Sequence, residues 1–263
     1  MRNFHLFHLV NRSPWPIITA TGGWFLTTGL AFTLHRVENG TLILSFSILI
    51  LIIAAFFWFN EIIEEATFLG YHTKVVRYGI KLGFWLFLVS EMMLFFGFFW
   101  ALFHSAMVPA EEIGVMWPPY GLKPIYSFGY PLFNTLLLIS SGVAVTWAHK
   151  GISLSSYKES LDGLLITLLL GAFFVFLQVK EYYHASFNIN DGIYSSTFFM
   201  LTGLHGCHVV IGVILLFVCF LRILLNHFLN NHYAGYVFAI WYWHFVDIVW
   251  IVVFLTVYVW ATI

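Results

Sequence analysis

Glu91 is the single carboxylate in an apolar run of membrane-spanning length, Leu82 to His104, LGFWLFLVSEMMLFFGFFWALFH. At a rise of about 1.5 Å per residue this run makes a helix of roughly 33 Å, and Glu91 lies about 15 Å from Lys81, near the middle of a hydrocarbon core. An ionisable group at that depth costs several kcal/mol unless it faces protein or water, so Glu91 is a functional-site candidate. Its chemistry is to hold or pass a proton. No Lys or Arg lies within a helical turn or two. The expectation is a neutral acid that shapes the local proton environment without a catalytic role, hydrogen-bonded to a neighbouring helix.

Two further polar pairs stand in apolar runs: His205 and His208 in LHGCHVVIG, and His244 and Asp247 in WYWHFVDIVW. Both are spaced i, i+3, which puts each pair on one helix face. Two imidazoles could ligate a metal, and an acid could orient a ligand histidine. The commoner use is interhelical hydrogen bonding, at ~0.6 to 2 kcal/mol per contact in membranes. All four are read as buried polar structural residues. Bis-histidine haem ligation stays open at this point, because His244 could face His205 or His208. The segment Asn60 to Lys81, NEIIEEATFLGYHTKVVRYGIK, mixes Glu61, Glu64, Glu65 and His72 with Lys74, Arg77 and Lys81. It suits a phospholipid headgroup, and equally a solvated helix extension laced by i, i+3 and i, i+4 charge pairs. Glu111 and Glu112 read as solvated.

The elements that position these groups are helices. The chain is 61% hydrophobic, 21% aromatic and 9% charged, against ~25% charged in a soluble domain, so it is an integral membrane protein. The spans lack period-two alternation, which excludes an outer-membrane barrel and leaves an all-α class. A net charge of −1 without a basic cluster excludes nucleic acid. Cys207 and Cys219, twelve residues apart, would be ~18 Å apart on a helix and cannot bridge. No metal site is read from any Cys spacing. The N-terminal stretch is too polar for a cleavable signal, so the first span is expected to act as the insertion signal.

Seven spans are expected in one membrane domain over residues 1–263: about 17–34, 42–59, 82–104 with an extension from about 74, 132–148, 161–179, 195–225 and 234–260. The longest loop, Ser105 to Pro131, is rich in Pro and Gly. Arg2, Arg12, Lys74, Arg77, Lys81, Lys150, Lys158 and Arg222 fall on one side; Arg36, Lys123 and Lys180 fall on the other. The positive-inside rule then places the N-terminus inside and the C-terminus outside. Trp15, Trp58, Trp117, Trp147, Trp241 and Trp260 are near span ends, as belt residues are, whereas Trp85, Trp100 and Trp250 are deeper and expected to pack.

FHLFHLVNRSPWP, GYHT at 70–73, SEMMLFFGFFWALFHSAMVP, WPPYG, PLFNTLLLISSG, TWAHK, EYYHASFNINDGIYSSTFF, HGCHVVIG and WYWHFVDIVW occur in that order along the whole chain. In these motifs the sequence resembles subunit III of the haem-copper cytochrome c oxidases, in its mitochondrial form. The resemblance implies seven transmembrane helices, with spans one and two set apart from spans three to seven by a V-shaped cleft holding phospholipid. It implies a multi-pass place in the mitochondrial inner membrane, with the N-terminus in the matrix. It also implies docking against the catalytic subunit I and other oxidase subunits. Haem and copper belong to subunits I and II, and this chain carries no redox cofactor, only bound phospholipid. The function implied is support of electron transfer from cytochrome c to oxygen and of coupled proton translocation, by bracing subunit I and shaping proton and oxygen access.

By the same resemblance Glu91 looks like the family's membrane-embedded glutamate, and Trp58, Glu65, His72 and Lys81 look like lipid-headgroup residues of the cleft. The chain departs from the family pattern at Phe59, where Trp is usual, at Asn60, Ile63 and Glu64 in a stretch that usually carries Arg, at Lys81 for Arg, and at Val237 for Glu. Lys for Arg trades a bidentate fork for a point charge. The alternatives are a stand-alone membrane haem or metal oxidoreductase, which needs facing histidine ligands, and a seven-helix transporter, which usually shows repeats and broken helices that are not evident here. A seven-span receptor fits the span count but not the charge bias.

Overall fold

The computed structural model describes residues 7–228 and 233–260. Arg2 of the charge bias and Phe4 to Leu6 of the first motif lie outside the described residues. Seven helices are long and apolar enough to cross a membrane, as expected, and they divide into two compact units, residues 1–80 and 81–263.

The first unit is a helical hairpin. α1 (Trp15–Leu34) starts behind Pro14 and carries a Pro in its first turn, where a missing N–H costs nothing. α2 (Gly40–Glu64) follows a turn in which Arg36 (φ 55°) and Asn39 (φ 63°) are left-handed. Small residues let the two backbones touch, since a Cβ on Gly29 would stand 2.8 Å from the Leu44 nitrogen and one on Gly40 would stand 2.7 Å from the Phe32 carbonyl carbon. Close approach of this kind is what holds helices together where lipid removes the hydrophobic drive. The polar segment beyond α2 is not one continuous helical extension. α2 widens into a π-turn over Glu65–Leu69 that ends on left-handed Gly70 (φ 69°), and the chain reaches α3 (Lys74–Met107) only after residues 70–73.

In the second unit α4 (Tyr130–Ser153), α5 (Tyr157–His184), α6 (Ile193–Leu224) and α7 (Ala234–Val253, continued by a π-turn over Phe254–Val259) pack in sequence, with α7 closing on α4. The part of α3 from Lys81 onward meets α6 and α7 through long side chains, as in Phe84 stacked on Phe238 at 4.7 Å and Phe103 against Trp260 at 5.2 Å. The centre is aromatic. Trp243 and Trp250 are fully buried, and each indole N–H donates inside the bundle, to Ser141 Oγ at 2.9 Å and Thr135 Oγ1 at 3.0 Å. Trp243 fits only because Gly171 and Gly212 flank it, where a Cβ would come within 2.6 and 2.8 Å of its ring.

Trp250 therefore packs as expected, but Trp85 and Trp100 point outward, 52% and 64% exposed. Continuously apolar helices carry no polar stripe to mark their outer face, so the sequence pattern cannot tell a core Trp from one facing lipid or a partner. Several helices also outlast the apolar runs that identified them. α5 continues to His184, because the backbone ladder persists into the interface beyond the hydrocarbon core.

Candidate functional site

α3 presents Glu91 and Phe95 one turn apart on the same face, and α6 brings His208 to meet them. Glu91 Oε2 lies 2.8 Å from His208 Nε2, with side-chain exposures of 22% and 8%. Phe95, Phe245 and Tyr242 surround the imidazole at ring distances of 5.0, 6.4 and 6.2 Å. The other ring nitrogen, His208 Nδ1, lies 2.7 Å from the Leu204 carbonyl. A carbonyl can only accept, so Nδ1 carries a hydrogen. One further proton then sits between Oε2 and Nε2, either on the acid or on the ring. In both arrangements the pair is neutral overall. That is how a carboxyl and an imidazole can share the bilayer interior without a third charge.

The remaining candidates are placed separately. His205, fully buried, turns Nε2 to the Val246 carbonyl of α7 at 3.2 Å and lies tilted against Trp250, ring centres 4.9 Å apart. The two histidines of the i, i+3 pair thus bond to different helices and do not converge. Asp247 is buried against α4, where a Cβ on Gly142 would stand 2.7 Å from its Oδ2. His244 Nδ1 is 3.9 Å from that oxygen, too long for a hydrogen bond, and its Nε2 is 3.4 Å from Thr146 Oγ1. His244 is only partly buried, with 40% of its side chain exposed.

In the first unit, Trp58 and Glu65 are seven residues apart and share a helix face, and Glu65 Oε2 lies 4.0 Å from His72 Nε2. His8, from the stretch before α1, joins them, its ring 5.5 Å from that of His72. Lys81 is exposed, its ammonium 5.2 Å from the Trp241 ring centre.

Two groups escaped the sequence reading. Trp15 Nε1 donates to Glu61 Oε1 at 2.8 Å, fastening the start of α1 to the end of α2. Glu181, 2% exposed, accepts from the Tyr258 hydroxyl at 2.6 Å and from Gln178 Nε2 at 3.4 Å, while Asn134 Nδ2 donates to Gln178 Oε1 at 3.3 Å. Ending span five at Val179 made Glu181 a loop residue. The i, i+3 spacing of Gln178 and Glu181 was the available signal.

The family model described as Cytochrome c oxidase subunit III matches residues 5–262. The chain belongs to the cytochrome c oxidase subunit III family. Among curated subunit III proteins it is 46% identical to that of Equus caballus over 258 residues, covering 98% of each chain. It is 44% identical to that of Myxine glutinosa over 261 residues, covering 99% of each, and 46% identical to that of Rattus norvegicus over 258 residues, covering 98% of each. As a subunit III family member the chain is a respiratory subunit, a part of an enzyme complex and not a stand-alone catalyst. Glu91 and His208 both lie inside the matched span.

Proposed function

We propose that this chain is a non-redox core subunit of the cytochrome c oxidase of the mitochondrial inner membrane. It lies with its N-terminus on the matrix side, braces subunit I, and supports the electron transfer and proton translocation carried out there. The observation that carries the reading is the family match from residue 5 to residue 262. It is supported by the partners that these polar groups find within the chain, Glu91 with His208, His205 with the Val246 carbonyl and Glu181 with Tyr258. Purifying a tagged chain from the inner membrane should bring the oxidase haem spectrum with it, and stripping the chain away should leave that spectrum with the rest of the complex. A chromophore that leaves with the chain overturns the proposal.

Within this function, Glu91 and His208 act as a proton-holding pair that tunes the local proton environment, with no part in the oxygen chemistry. Trp58, Glu65 and His72 bind a phospholipid headgroup at the membrane surface. An indole beside a hydrogen-bonding imidazole suits a phosphodiester or a zwitterionic amine, and Glu65 favours a headgroup that carries an ammonium. Native mass spectrometry of the complex should show tightly held lipid reduced in His72→Ala and in Trp58→Ala. Unchanged lipid in both variants refutes the site.

A further inference from the structure

The outstanding cluster of chemistry-bearing side chains away from Glu91 and His208 is formed by His8, Glu65 and His72, whose ligand-capable atoms all lie within 4.8 Å of one another. We propose that these three residues form a binding site for a divalent transition-metal ion of the zinc class.

The backbone explains why residues so distant in sequence meet. The π-turn over Glu65–Leu69 and left-handed Gly70 reverse the chain, with Tyr71 N–H returning to the Glu65 carbonyl at 3.2 Å. His72 is thereby folded back over the Glu65 side chain. His8 approaches from the segment ahead of α1, its ring at 73° to that of His72.

Distances and donor types agree with this assignment. Metal–nitrogen and metal–oxygen bonds of about 2.0 to 2.2 Å put the ligand atoms of a tetrahedral site roughly 3.3 to 3.5 Å apart. The 4.0 Å from His72 Nε2 to Glu65 Oε2 is beyond a direct hydrogen bond and closes to the ligand spacing with small side-chain rotations. Two imidazoles and one carboxylate select zinc and its neighbours over magnesium or calcium, which prefer all-oxygen shells. Glu65 and His72 are largely buried, with 14% and 11% side-chain exposure, while His8 is exposed. His8 is thus the closing ligand, and the fourth position faces water. Bound zinc adds two positive charges to the cluster and turns the headgroup preference of the lipid reading from ammonium to phosphate. To that extent the inference deepens the lipid reading, but the ion site stands without it.

The test uses the intact, detergent-purified oxidase. Complexes carrying wild-type chain, His8→Ala or His72→Gln are equilibrated with low-micromolar Zn²⁺ and passed over a chelating resin, and zinc is counted by mass spectrometry. The wild type should retain an ion that both variants lose, with affinity weakened roughly tenfold or more. His8 is exposed, so His8→Ala leaves the fold intact. Co²⁺ in place of Zn²⁺ should give tetrahedral visible absorption in wild type and none in His8→Ala. Equal zinc in all three complexes, or a cobalt spectrum that His8→Ala leaves unchanged, overturns the site. Lipid counted on the same samples separates the two readings: a variant that sheds lipid but keeps its zinc overturns the ion site and sustains the lipid one.

Discussion

Removing one partner of the Glu91–His208 pair should cost far more than removing both. Glu91→Leu leaves His208 Nε2, which now lies 2.8 Å from Glu91 Oε2, facing an alkyl chain. An unsatisfied buried acceptor costs about 1 to 3 kcal/mol. His208→Leu does the same to the carboxyl. The double variant leaves only apolar surface among Phe95, Tyr242 and Phe245, and such replacements are often nearly neutral. With each single change costing about 1 to 3 kcal/mol and the double nearly nothing, the cycle should show a coupling of about 2 to 6 kcal/mol. Membrane interhelical hydrogen bonds average nearer ~0.6 kcal/mol, which is the lower bound expected. Stability is read as the denaturant or thermal midpoint for release of the subunit from the purified complex. Glu91→Gln is the companion. Its amide can donate to Nε2, so assembly should be near wild type, with any loss appearing in proton uptake. Difference infrared spectroscopy reads the proton directly. The neutral-acid expectation gives an un-ionised carboxyl band in wild type that Glu91→Gln abolishes. Coupling below about 0.3 to 0.5 kcal/mol, the limit of simple additivity, refutes the pairing. A carboxyl band that Glu91→Gln leaves unchanged refutes the proton assignment.

Two further outcomes test the bundle. Gly171→Ala drives a methyl into the Trp243 ring, which a Cβ would approach to 2.6 Å, and should cost about 1 to 3 kcal/mol by overpacking. Gly203→Ala, whose Cβ finds only the Tyr182 hydroxyl at 3.8 Å, should be neutral or gain up to about 1 kcal/mol from helix propensity; thermal melts of the two variants distinguish a steric cause from a general intolerance. Tyr258→Phe removes the 2.6 Å hydrogen bond to Glu181 and should lower stability by about 1 to 3 kcal/mol. An unchanged melt would refute a stabilising role for this bond.

Length, apolar runs and near absence of charge were enough to make this an all-α membrane chain with seven spans, because the hydrocarbon core admits few other backbone solutions. The same scarcity made Glu91, His205, His208, His244 and Asp247 visible, since each is conspicuous among Phe, Leu and Val. Their partners were not visible. That Glu91 meets His208 while His205 turns to the Val246 carbonyl depends on the rotation of α3, α6 and α7 about their axes, and an apolar helix without an amphipathic stripe does not encode its rotation locally. The outward turn of Trp85 and Trp100 is the same effect. Glu181 was hidden because hydropathy marks where lipid ends, whereas hydrogen bonding decides where a helix ends. His8 joined Glu65 and His72 only through a π-turn and a left-handed Gly70. Such a bend brings together residues far apart in the chain, and no spacing rule within one helix or strand anticipates it.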